Sequence, residues 1–490
     1  MRFASPRICQ LVGMVLLAWS ATVGVLWRAQ SAPLDWDEVE YLNAAKLGFT
    51  ANYLEEGSLS PREFIQFVKA KKNGMVAALP PGYSELGDPL LERHYHPPFT
   101  CYLLSAVSSS TNEHVIRGVL LVFALALLTM LILGHAWLVG DSWSLPGAIT
   151  VAVLGIWICY FVFDSITFHG SEAVWSVLTA LTLSRFIALP SRSRGLALCA
   201  ALALGMVTLD PGPFLVASAA VGLIVWRRER LLVRLIVGGG LVGLMVFVLW
   251  PGALLKISLV KEIAVNVYRS KVGEAFASAD RGKVFRAMLP PVAAASLAVL
   301  WLLVRRRSSI AIWGPFLLVS CIYLMAVIRF LILAKYLVPV LCPLICLVGF
   351  AVDQLPRRWF KWLPVAVCLG LTLVSPGENH ASEGPDFRAD IEWLGTRLTD
   401  APALVDGAHI YSFYLGARRS LTPLFLSQDE SALSIREEGT YRKLEPDEVR
   451  GKQFVVQSLR KVFLGGSAEK TLFGNCVRVT RPTLTFYDCR

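Results

Sequence analysis

Asp37 and Glu38 stand side by side in Leu34-Asp-Trp-Asp-Glu-Val-Glu-Tyr41, directly after the first apolar run. A carboxylate there can act as a base toward a hydroxyl when burial or a neighbouring acid raises its proton affinity. On a helix, Asp37 and Glu40 would share a face while Glu38 would point elsewhere. The same acids also fit a solvated cap, because acids are favoured near a helix N-terminus. Two further acids fall at the expected level of Asp37: Asp164 ends the third apolar run and Glu172 begins the fourth, with His169 between them. Ordinary polarity at helix ends is the competing explanation for this pair. Cationic candidates are Arg93, His94 and His96 in the first loop, then Arg329 and Lys335 around the tenth run, with Tyr336 beside them as a further donor-binding candidate. At a membrane surface, Arg, Lys or His can hold a lipid phosphate and stabilise its charge as it leaves. Lys335-Tyr336 fits interfacial anchoring equally well. His94-x-His96 beside acids leaves a divalent cation open, but a spacing of two is weak for a metal site. No cofactor and no resident metal are expected.

These residues need a scaffold, and the composition says which kind. The chain has 490 residues, of which 55% are hydrophobic and 17% charged. Soluble domains average about 25% charged, so lipid is the expected solvent. Runs near the length that crosses a bilayer lie at Ile8–Trp27, Val115–Val139, Leu145–Phe163, Ala173–Leu189, Leu196–Leu209 and Phe214–Trp226. Others follow at Leu235–Trp250, Pro291–Val304, Ile310–Ile328, Tyr336–Val352 and Trp362–Val374, about eleven in all. The first is expected to be a retained signal anchor. Arg2 and Arg7, Arg192 and Arg194, Arg227 to Arg230, Arg305 to Arg307, and Arg357 to Lys361 mark alternate connections. By the positive-inside rule that side is cytoplasmic. The N-terminus is then inside, and the first loop and the C-terminal region are outside, as in a bacterial inner membrane. The net charge of +11 follows from these short clusters at helix ends. No nucleic-acid partner is expected.

The chain divides into a membrane body (1–374), which includes a first outer loop with interfacial helices (28–112), and a small α/β domain (375–490). His96-Pro97-Pro98 introduces Phe99–Ser108, too short to span and suited to the interface. In the C-terminal region Phe387, Ile391, Leu394 and Leu398 recur at helical spacing. Strands are expected at Ala403–Val405, Phe454–Gln457 and Cys476–Val479. Cys476 and Cys489 would face each other across a hairpin that turns at Pro482-Thr483, and a disulfide there requires an oxidising compartment.

Taken in order, the first span, Asp37-Glu38-x-x-Tyr41, the loop closed by His96-Pro97-Pro98, Glu172 opening the fourth span and Lys335-Tyr336-Leu-Val-Pro339 resemble the C-type (GT-C) glycosyltransferases. The similar branch holds the protein O-mannosyltransferases and the lipid A aminoarabinose transferase. The resemblance covers most of the membrane body and fades in the C-terminal region. It implies a polyprenyl-phosphate-linked sugar as donor, Asp37 as the catalytic acid-base residue, Glu38 beside it and Glu172 in support. Two departures stand out. Glu replaces the Asp common in that branch at 172, and Asp210-Pro-Gly-Pro213 replaces a basic residue before Gly-Pro. The expectation is therefore a polytopic α-helical transferase acting on a lipid, glycan or protein acceptor at the outer face. The alternative is a transporter or flippase for a lipid-linked or anionic solute, with its broken helix at Asp210-Pro-Gly-Pro213. A transporter would gather its acids at the midplane rather than at the rim.

Overall fold

With lipid as solvent every backbone polar group must be satisfied within the chain, so apolar runs become helices. The computed structural model describes residues 6–29, 33–34, 38–39, 41–42, 45, 97–140, 143–163, 166–209, 211–227, 229–250, 288–306, 309–327, 334–374, 384–398, 403–406, 408–415, 421–426, 433–437, 440–457 and 466–490. Each of the eleven apolar runs coincides with a helix. These are α1 (Pro6–Ala29), α3 (Glu113–Val139), α4 (Leu145–Val162), α5 (Phe168–Ala188), α6 (Arg192–Met206), α7 (Pro213–Trp226) and α8 (Leu231–Leu249). The series continues with α9 (Leu289–Arg305), α10 (Ile310–Val327), α11 (Val338–Asp353) and α12 (Trp362–Val374). The short α2 (Phe99–Leu104) continues as a 3-10 turn over Ser105–Val107, where an interfacial segment was expected. Five described helices, α1, α3, α8, α10 and the stretch Lys335–Asp353, are long and apolar enough to cross a membrane.

The described residues fall into two compact units. One holds α1, residues 97–103 and the described part of 117–374. The other holds the described residues of 30–45, Leu104–Ile116 and the C-terminal region.

Within the first unit α5 is the hub, packed on α6, α10 and α11. It is buried nearly all round although it carries Ser171, Ser176, Thr179, Thr182 and Ser184. Small hydroxyl residues let helix backbones approach and bond across helices. Ser176 donates to the Pro339 carbonyl at 2.9 Å, and Ser184 donates to that of Ile312 at 2.7 Å. At one end of the bundle Asp353 closes a buried cluster. Its carboxylate meets His135 Nε2 at 2.9 Å, accepts from the Ser144 backbone N–H at 3.3 Å, and bonds the Ser144 hydroxyl. Its backbone carbonyl accepts from Lys361 Nζ at 2.6 Å. Asp353 thereby joins α3, the start of α4 and the end of α11. Gly147 is required beside it, because a Cβ there would sit 2.4 Å from a carboxylate oxygen.

The second unit is built on a seven-stranded sheet in the order β4-β3-β2-β1-β5-β7-β6. The strands are β1 (Ala403–Asp406), β2 (Leu421–Leu426), β3 (Leu433–Glu437), β4 (Thr440–Lys443), β5 (Gln453–Gln457), β6 (Val477–Thr480) and β7 (Leu484–Asp488). Central β1 is parallel to β2 and β5, and the outer pairs are antiparallel. Helices α13 (Gly384–Arg397), α14 (Ala408–Leu415) and α15 (Gly466–Phe473) complete it. Phe387, Ile391, Leu394 and Leu398 are all buried, as their spacing predicts. Cys476 and Cys489 are joined in a disulfide, and β6 pairs antiparallel with β7 around Pro482-Thr483. The turn is fastened from outside the hairpin: buried Asp390 on α13 accepts from Arg481 Nε at 2.6 Å, the Thr483 N–H at 2.8 Å and its hydroxyl at 2.7 Å.

Candidate functional site

The chemistry-bearing residues of the first unit gather on the opening turn of α5. Thr167 leads into the helix in extended conformation, with φ −135° and ψ 146°. The preceding chain folds back so tightly that a Cβ on Gly170 would lie 2.4 Å from the Phe163 ring. This glycine lets His169, Ser171 and Glu172 enter the interior. Glu172 is fully buried and His169 nearly so, at 0% and 8% exposure. The two lie three residues apart and share a helix face. Across from them, the 3-10 turn Ala334–Leu337 presents Tyr336, whose ring meets the His169 imidazole edge-on at 4.5 Å between centroids. Lys335, half-buried, precedes it in the same turn.

The end of α6 supplies the wall beside Glu172. A Cβ on Gly205 would lie 3.8 Å from the Glu172 Oε1 and 2.5 Å from Leu215. One on Gly212 would lie 2.3 Å from the Gly205 carbonyl oxygen. The corner therefore depends on two glycines that let α6 and the Pro211-Gly212-Pro213 turn touch. This gives a physical reason for the Gly-Pro that follows the departure at Asp210.

Polar and aromatic groups from α2 complete the shell. The Thr100 and Ser171 hydroxyls are 3.0 Å apart, and Ser171 donates to the Phe168 carbonyl at 2.9 Å. Phe99 stacks edge-on to Trp175 at 5.7 Å, and its N–H donates to the Val207 carbonyl at 3.0 Å. Trp175 Nε1 donates to the Thr208 hydroxyl at 2.9 Å. An ionisable pair inside a membrane bundle is costly and marks function by default. Here a buried carboxylate and an imidazole share one turn, with a tyrosine ring against the imidazole, which suits binding and orienting a polar group.

The structure thus brings Glu172, His169 and the Tyr336 ring to one corner, with Lys335 next to Tyr336 in the same 3-10 turn. Glu38 belongs to the second unit, where it is helical and only 1% exposed. Asp37, Arg93, His94, His96, Asp164 and Arg329 lie outside the described residues. Thr100, Ser171, Trp175 and Thr208 were not singled out from sequence. Their signal is faint, since each is a common residue in an apolar run, but polar residues one turn from Glu172 were visible. Also unanticipated is the anchoring of Glu113 in the second unit, where Arg388 Nη2 and the Tyr414 hydroxyl each donate at 2.8 Å. Tyr414 in turn accepts from the Leu34 N–H at 3.0 Å.

Comparison with known proteins gives a fold and no close relative. No family model matches the chain, and no curated protein matches it. Among solved structures, ArnT from Cupriavidus metallidurans bound to undecaprenyl phosphate superposes with a TM-score of 0.58 at 14% identity, over 99% of this chain and 98% of that one. The same protein in the apo state gives 0.60 at 15% identity, over 98% and 97%. ArnT is a GT-C lipid A aminoarabinose transferase. At this identity the fold is what the two share, and they share it over nearly their whole lengths.

Proposed function

We propose that this GT-C-fold membrane protein is a glycosyltransferase that moves a sugar from a polyprenyl-phosphate-linked donor to an acceptor hydroxyl at the outer face of the membrane. The observation that carries the reading is the near full-length likeness to ArnT, one structure of which holds undecaprenyl phosphate. The corner built on Glu172, His169 and Tyr336, with Lys335 adjoining in the chain, supports it, because buried ionisable groups in a membrane bundle mark function by default.

In this reading Asp37 takes the proton from the acceptor hydroxyl as its oxygen attacks the anomeric carbon. The new C–O bond forms on the face opposite the departing phosphate, so the configuration inverts. The bond from the anomeric carbon to the phosphate oxygen breaks, and polyprenyl phosphate leaves with its electron pair. Arg93, His94, His96, Arg329 and Lys335, with Tyr336 aligned by His169, are the groups assigned to hold that phosphate. Glu38 and Glu172 orient the reacting groups, with Asp164 and His169 in support. Holding donor and acceptor at one surface supplies much of the rate. The donor sugar is a hexose or pentose, and the acceptor a lipid, glycan or protein. We place the N-terminus in the cytoplasm and the C-terminal domain outside, in keeping with the Cys476–Cys489 disulfide and the oxidising surroundings such bonds need.

The test uses membranes carrying the full chain and radiolabelled undecaprenyl-phosphate sugars. Wild type should release label from the lipid, and Asp37→Asn at equal protein level should lose ~10²–10⁴-fold of that rate, the usual contribution of a general base. Undiminished transfer by the variant would remove Asp37 from its assigned role. Absence of turnover by wild type with any such donor would remove the donor class.

A further inference from the structure

A second feature of the first unit is unused by this chemistry. A cleft of about 910 Å³ runs between α6, α7 and α8. Its walls are apolar, with Leu202, Val216, Leu223 and Val242 among them. Its size lies in the ~300–1,000 Å³ range of small-molecule sites. Arg192, Arg230 and Arg234 line it at one end, where α6 and α8 begin. This is the Arg-rich end of these helices, away from the Glu172 corner at the opposite end of α6.

Three observations make the cleft a site for one kind of occupant. First, the basic residues of this end divide by role. Arg227 donates through Nε to the Ile187 carbonyl at 2.7 Å, and Arg194 donates to that of Leu189, so both close the end of α5. The Arg192 and Arg230 side chains are exposed and make no hydrogen bond or ion pair among the described residues. Arg234 is half-buried over the Phe186 ring at 5.9 Å and gives one N–H to the Arg227 carbonyl at 3.4 Å, leaving its other donors for the cleft. Glu229 is the acid nearest in sequence, and it is exposed and does not line the cleft. Second, Arg230 has φ +49°, the one non-glycine residue in the left-handed region among those described. That backbone state is uncommon outside turns, and it sets this arginine at the head of α8. Third, α8 is scarcely packed: 11% of its apolar window is buried, against 89% for Lys335–Asp353. Gly238 and Gly239, both lining the cleft, leave open space where side chains would stand, which gives a hydrocarbon chain room along the wall.

We propose that this cleft binds an anionic glycerophospholipid of the leaflet facing the Arg-rich helix ends. An acyl chain would lie between α6, α7 and α8, with the phosphate between Arg192, Arg230 and Arg234. Basic pockets between transmembrane helices on the cytoplasmic side recognise anionic headgroups in this way, and long arginines keep their charge at the surface while their stems lie along apolar walls. The occupant completes the loose contact of α8 with the bundle. The inference is independent of the transferase reading.

Native mass spectrometry of the full-length protein from detergent micelles, supplemented with equimolar phosphatidylglycerol and phosphatidylcholine, tests it. Wild type should retain phosphatidylglycerol at least ~10-fold over phosphatidylcholine, with about one molecule per chain, on the scale of three charge-assisted contacts. The triple variant Arg192→Gln, Arg230→Gln, Arg234→Gln should lose that preference. Gly238→Leu, which adds a side chain into open space, should lower occupancy while leaving thermal unfolding in detergent unchanged. Equal retention of the two lipids by wild type would overturn the proposal. So would unchanged preference in the triple variant, unchanged occupancy in Gly238→Leu, or displacement of phosphatidylglycerol by equimolar undecaprenyl phosphate.

Discussion

Two buried carboxylates in the helical bundle show how the same side chain serves different ends. Asp353 sits at the end of α11; its carboxylate is tied to His135 and Ser144, far away in sequence, and its backbone carbonyl accepts from Lys361 in the next turn of chain. Each carboxylate contact joins α11 to α3 or to the start of α4, so the group works as a bolt. Glu172 sits on a single opening turn with His169, beside an aromatic edge and two glycine-enforced backbone contacts. Its setting orients groups within a corner rather than tying distant helices. The difference teaches that burial of an acid does not by itself mark chemistry; what matters is whether its bonds tie separate helices together or its neighbours on one turn face a shared space.

The comparison breaks most visibly at the bolt. Asp353→Ala should strand His135 in an apolar interior. Removing one partner of a buried pair costs about 3–5 kcal/mol, so thermal unfolding in detergent should fall sharply and accumulation in membranes with it. The C-terminal unit offers a covalent counterpart. Replacing Cys476 and Cys489 with Ser should cost roughly 3 kcal/mol, the value for a loop of this size, read by urea-dependent hydrogen exchange of β5, β6 and β7 in the full chain.

Sequence reading reached the helices because lipid demands long apolar runs, and each run became a helix. It clipped α5, placing its start at Ala173 when the helix begins at Phe168. The five residues lost include the polar turn that carries His169 and Ser171, and Glu172. Hydropathy excludes polar residues from spans by construction, so it hides the turn that holds a site. The His135–Asp353 pairing was illegible for another reason: it joins positions 218 apart, and nothing local encodes that proximity. In the C-terminal region three strands were legible as β-branched or aromatic runs. Leu421–Leu426 was not, because Pro423 argues against a strand. The disulfide partners were legible because two cysteines flanked one turn.

Smaller effects sharpen the contrast at the corner. Gly212→Ala should force α6 and the following turn apart, because its Cβ would meet the Gly205 carbonyl. Overpacking of this kind costs about 1–3 kcal/mol. Transfer activity should fall more than stability does, measured on equal amounts of folded protein. The smallest effect belongs to the rim of the C-terminal sheet. The Arg490 guanidinium beside Asp488 lowers its carboxyl from 3.8 to about 2. A carboxyl held down in the folded state adds stability that is fully present above its unfolded value and is lost as pH falls through about 2. Asp488→Asn should therefore flatten the stability change across that acid window by losing, near pH 7, the small solvent-screened stabilisation the carboxylate supplies there, with no difference from wild type below about pH 2, as urea titrations at several pH values would register.

The distinction between the two acids is tested most directly by measuring sugar transfer and thermal unfolding together for Glu172→Gln and Asp353→Asn in the same membranes. The account predicts that Glu172→Gln keeps its unfolding temperature and loses on the order of 10²-fold in transfer. Asp353→Asn should lose unfolding temperature, while its folded fraction transfers at close to the wild-type rate. Wild-type transfer by Glu172→Gln, or a loss of activity in Asp353→Asn without loss of stability, would contradict it.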